Sequence, residues 1–120
     1  FLWEPRPLNI DDMKKAAASL VGEHDFSCFR GSLCQAKSPI KTIEYIEIES
    51  SRDELIINIK ANAFLHHMVR NIVGTLLKIG RGEKDVDWMT SVLESKDRKK
   101  AGPTAEPQGL YFIKAFYKEI

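Results

Sequence analysis

His66, His67 and Arg70 stand within five residues of one another, inside an apolar stretch that does not need them. Imidazole and guanidinium groups can ligate a metal, move a proton or hold a carboxylate, so this cluster is the first place to look for chemistry. Adjacent helical residues diverge by about 100°, so His66 and His67 would chelate one ion poorly. Helical metal pairs use i, i+4 spacing, as in H-E-x-x-H. Cys28 and Cys34 cannot complete a four-ligand zinc site, and the chain has no C-x-x-C. The expectation is no metal. His66 and Arg70 are four apart and share one border of the stripe, with Gly74 one turn further along that edge. From spacing alone, Arg70 is read first as a solvated flank residue or half of a structural ion pair, with an active-site role as the alternative.

The element that carries these groups is a helix expected over residues 65–79. Leu65, Met68, Val69, Ile72, Val73, Leu76 and Leu77 fall on one face of it. Seven such side chains contribute roughly 10–20 kcal/mol of gross burial energy, an upper bound given a compact unfolded chain. The stripe is therefore core.

The remaining elements follow from period and caps. A first helix begins after Asn9, a fitting N-cap, with Asp11 and Asp12 near the positive end of the dipole. Ile10, Met13, Ala17, Leu20 and Val21 line one side, and Gly22 fits a stop. Residues 23–39 read as an ordered loop. Strands are expected over 42–49 and 55–61, joined by a hairpin turn at 50–53. Another helix starts near Asp85 and carries Trp88, Met89, Val92 and Leu93. A loop over 96–108 leads to a strand over 109–118 that is apolar on both sides and so expected to be central. This order predicts an α+β fold: an antiparallel β-sheet with helices packed on one face.

With 120 residues, 43% hydrophobic and 29% charged, the chain fits one soluble globular domain or part of one. No apolar run is long enough to span a bilayer, and no signal sequence opens the chain, so a cytoplasmic protein with reduced cysteines is expected. A net charge of +1 leaves any basic surface to local clustering. Opening on Phe1, the chain reads as the middle of a longer polypeptide.

Four segments stand in order: residues 20–30 (LVGEHDFSCFR), 34–39 (CQAKSP), 59–74 (IKANAFLHHMVRNIVG) and 109–111 (GLY). Together they resemble the TruA-type tRNA pseudouridine synthase A family. The resemblance implies an enzyme that isomerises uridine to pseudouridine in the anticodon stem-loop of tRNA, without cofactor or metal, as a cytoplasmic homodimer. The family's essential aspartate lies in an Arg-Thr-Asp-Ala-Gly motif of its N-terminal half. No such segment occurs here. Residues 1–120 are thus expected to be the C-terminal domain, half of a pseudouridine synthase fold, inactive without the N-terminal half. By matching position, Arg70 corresponds to the arginine that pairs with that aspartate. Leu110 corresponds to a position lining the uracil pocket, with ordinary strand core as the competing reading. Phe64 and His66 are further pocket candidates, against core packing and helix-end hydrogen bonding. For RNA contact the candidates are Arg30, Lys37, Lys41, Lys96, Arg98, Lys99 and Lys100, against a solvated basic loop. A non-catalytic RNA-binding or assembly module on the same fold is the alternative.

Overall fold

The computed structural model describes residues 8–30, 38–51, 54–62, 68–103 and 111–117. Helix α1 spans Ile10–Ala18. Strand β1, Gly22–Asp25, runs into a one-turn 3₁₀ helix, Ser27–Phe29. Strands β2, Ile40–Ser51, and β3, Glu54–Ala61, precede helices α2, Met68–Gly80, and α3, Asp87–Ser95. A second 3₁₀ turn, Arg98–Lys100, and strand β4, Tyr111–Tyr117, follow.

Asn9 caps α1 as expected: its side-chain oxygen accepts from the Asp12 N–H at 3.1 Å. The helix ends earlier than its apolar spacing suggested. Val21 lies outside it and is 40% exposed, and Gly22, at φ +104°, opens β1 rather than closing α1. β1 itself falls where a loop was expected. Gly-Glu-His-Asp has little intrinsic strand preference; its extended form comes from pairing with Ile40–Ile43 of β2.

The sheet order is β1-β2-β3-β4. The first three strands are antiparallel, the β2–β3 hairpin as anticipated, with an irregularity between Ile43 and Tyr45. β4 adds to β3 in parallel, Leu55 beside Tyr111 through Ala61 beside Tyr117. A parallel neighbour needs a long crossover, and α2 and α3 lie in that connection. Among the described residues β4 is therefore an edge strand, not the central strand its two-sided apolar pattern suggested.

Ile43, Ile48, Leu55, Ile57, Ile59 and Ala61 are buried on one sheet face. α1 packs on β2 and on both α2 and α3. The other face carries polar groups, among them the Glu44–Lys60 ion pair at 3.3 Å. α2 is enclosed more completely than a one-sided stripe requires: every residue from Asn71 to Leu77 is buried. At its far end Gly80 meets α1, where an added Cβ would lie 2.6 Å from the Met13 sulfur. Among the described residues no helix is long and apolar enough to cross a membrane.

Candidate active site

Arg70 lies in the first turn of α2, half-buried. That turn holds no acidic side chain, and residues 55–82 contain no aspartate or glutamate at all. An ion pair of Arg70 with a carboxylate must therefore draw that carboxylate from outside residues 55–82.

The residue after Arg70 organises what surrounds it. Asn71 is 1% exposed. Its Nδ2 donates to the Phe29 carbonyl at 2.8 Å, and its Oδ1 accepts from Arg98 Nη2 at 3.1 Å. Arg98 Nη1 donates to the Gly102 carbonyl at 2.7 Å. Thr75, fully buried, donates its hydroxyl to the Asn71 carbonyl at 2.9 Å and accepts from the Gly102 N–H at 3.0 Å. These bonds fasten the first 3₁₀ turn and the loop after the second one to α2. Among the described residues no buried side-chain polar atom lacks a partner, which is how α2 tolerates polar groups in its core. Gly102 is required by the close approach: a Cβ there would lie 2.9 Å from Thr75 Cα and 3.0 Å from the Gly74 oxygen.

The sequence missed this network. Its partners lie 42 and 27 positions apart, which no local period reports. One signal was available: Asn71 and Thr75, four apart, are polar positions next to the stripe.

The basic candidates divide. Arg98, grouped by sequence with the phosphate-binding residues, turns its guanidinium inward to Asn71 and Gly102. The two 3₁₀ turns pack together, which brings Arg30, the residue closing the first, near the second. Lys96, Lys99 and Lys100 are exposed. Lys96 takes a left-handed conformation, φ 55°, and together with Arg30 acts on Asp25. Lys41 stands opposite His24 in the β1–β2 ladder. Phe64, His66, Lys37 and Leu110 lie outside the described residues. A cleft of about 260 Å³ beside β1 and α3 is lined by His24, Asp25, Glu94 and Lys96 among others. Its mixed charges select no anion, and it does not include Arg70.

The family model for tRNA pseudouridine synthase matches residues 16–118. The chain belongs to the tRNA pseudouridine synthase family. Relatives named tRNA pseudouridine synthase A include a protein from Nitrosococcus oceani, 50% identical over 98% of the chain and 45% of the relative. Another, from Pseudomonas aeruginosa, is 49% identical over 96% of the chain and 40% of the relative. A third, from Burkholderia mallei, is 52% identical over 96% and 43%. The chain thus spans less than half the length of these curated relatives. The matched span includes helix α2 and Arg70.

Proposed function

We propose that this chain is the C-terminal half of a tRNA pseudouridine synthase that isomerises uridines of the anticodon stem-loop, and that Arg70 is the partner of an aspartate supplied by the other half. The observation that carries the reading is the place of Arg70: a half-buried guanidinium on α2, within the span that the tRNA pseudouridine synthase family model matches.

The chemistry requires an anionic carboxylate inside a pocket that closes around a base taken out of its stack. Desolvation there raises a carboxyl pKa. An arginine about 4 Å away opposes this, with an attraction of roughly 4 kcal/mol at an effective dielectric of ~20, before desolvation costs. A bidentate guanidinium also fixes the direction in which the carboxylate faces the ribose and base. Lysine, a point charge, supplies the attraction without the alignment. Arg30 and the exposed Lys96, Lys99 and Lys100 would lie along the RNA backbone, with Leu110, Phe64 and His66 in the uracil pocket. The complete enzyme acts as a cytoplasmic homodimer and uses no metal or cofactor.

Arg70→Ala in the complete enzyme tests this. Single-turnover pseudouridine formation should fall by about 10²-fold or more, while tRNA affinity changes by about twofold at most. Normal single-turnover chemistry with weakened tRNA binding would show that Arg70 contacts phosphate instead. Such an outcome would favour an RNA-binding module over a catalytic half.

A further inference from the structure

Arg98 stands close in sequence to Lys96, Lys99 and Lys100, yet it turns its guanidinium to the protein. One nitrogen reaches the Gly102 carbonyl at 2.7 Å and the other reaches Asn71 Oδ1 at 3.1 Å. Asn71 is buried, follows Arg70 directly, and is held from its other side by Phe29. The backbone around Arg98 is set for this. Asp97 caps the turn by accepting from the Lys99 N–H at 2.9 Å, so the side chain leaves a fixed 3₁₀ turn. Gly102 is tied to α2 a second time through Thr75.

We infer that Arg98 is a positioning residue: its planar fork ties the α2 turn that carries Arg70 to the second 3₁₀ turn and the Gly102 loop. The inference rests on the reading of Arg70 given above. Two acceptors in different directions, one backbone and one amide, match a guanidinium and not an ammonium. A misplacement near 1 Å at a catalytic group can cost about 10²-fold in rate, so a clamp one residue from Arg70 acts on chemistry without touching substrate.

The test uses the complete enzyme with Arg98→Ala and Arg98→Lys, measured beside wild type and Arg70→Ala. Arg98→Ala should lower the single-turnover rate by about 10²-fold. Its tRNA Kd should stay within about twofold, and the slope of log Kd against log salt should not change. Millimolar methylguanidinium should restore part of the rate, a response that a general loss of fold would not give. Arg98→Lys keeps the charge and the stem; it should melt near wild type and still be slow, which keeps the test intact if Arg98→Ala does not fold. A wild-type single-turnover rate in either folded variant overturns the inference. So does a weaker Kd with a shallower salt slope and normal chemistry, which makes Arg98 a phosphate contact. If Arg70→Ala is slow while both Arg98 variants are fast, only this inference fails. If wild type forms no pseudouridine, the reading of Arg70 fails and takes this one with it.

Discussion

Replacing Gly102 by alanine offers a direct test of the packing that surrounds Arg70. The added Cβ would lie 2.9 Å from Thr75 Cα, 3.0 Å from the Gly74 oxygen and 3.1 Å from the Gly74 carbonyl carbon. All three are backbone atoms of a buried helix, so no side chain can swing aside. Overpacking of this kind costs about 1–3 kcal/mol. If the loop backs away, the Gly102 N–H leaves Thr75 Oγ1, at a further cost of about 1 kcal/mol. Against this, alanine restricts the unfolded chain and returns about 0.4–1 kcal/mol. The net expectation is a destabilisation of about 1–3 kcal/mol. Urea unfolding followed by tryptophan fluorescence should show the midpoint falling by about 0.5–1.5 M at constant m, taking m near 2 kcal/mol/M. Gly82→Ala is the comparison: Gly82 has φ +82° and nothing within 4 Å of an added Cβ, so its cost comes from backbone strain alone. A Gly102→Ala protein within about 0.5 kcal/mol of wild type, the ordinary range for a neutral substitution, would refute the close approach of loop and helix.

Three other outcomes are expected. The Ser27 hydroxyl, at 2.6 Å, and the Ser27 N–H, at 2.9 Å, hold the Asp25 carboxyl below its ordinary 3.8, with Lys96 and Arg30 assisting. Stability from this anion is present above pH 3.8 and is lost as pH falls through the lowered folded value. NMR titration of Ser27→Ala should therefore find Asp25 closer to 3.8, and an unmoved midpoint would contradict the assignment. Burial pushes the Cys28 thiol up to about 12, so peptide mapping after iodoacetamide at pH 8 should find Cys28 unlabelled until the protein unfolds; rapid labelling of folded protein would contradict the enclosed core. Neutralising the exposed Lys96, Lys99 and Lys100 together should flatten the salt dependence of tRNA binding, by roughly 0.7–0.9 in slope for each lysine that meets a phosphate. An unchanged slope would remove them from the RNA surface.

What the sequence could disclose depended on how far apart the deciding residues lie. The Asn9 cap reaches three residues and was legible. Asp85 accepts from the Trp88 N–H at 2.9 Å close to the expected helix start, although α3 begins at Asp87 with Val86 in the cap position. β2 and β3 were legible because apolar and polar residues alternate along β3 and β-branched residues fill β2. β1 was not, because its extended form is imposed by Ile40–Ile43 across the ladder. The α2 stripe was found, but the closure of the whole helix was not: Asn71 and Thr75 look like a polar edge until Phe29, Arg98 and Gly102 are brought to them. For the same reason the sequence did not disclose that Arg98 turns its guanidinium to Asn71 and Gly102. Arg70 was located by spacing, but its role was not, since spacing alone cannot distinguish a flank cation from one that faces a carboxylate on another part of the enzyme.

The parallel seam between β3 and β4 also bears on the order of assembly. β2 and β3 pair from Ser51 and Glu54 outward, so that hairpin closes a very short loop and can form early. β4 must bring Tyr111 to Leu55 with two helices already laid between them, and long loops are the slow, entropically costly closures. The strand that follows Leu110 thus docks last, on a platform that is otherwise complete. Pulsed hydrogen exchange during refolding should protect the amide of Ile57 before that of Ile113; the reverse order would contradict this sequence. A newly made chain would then hold its helical core before its sheet is complete.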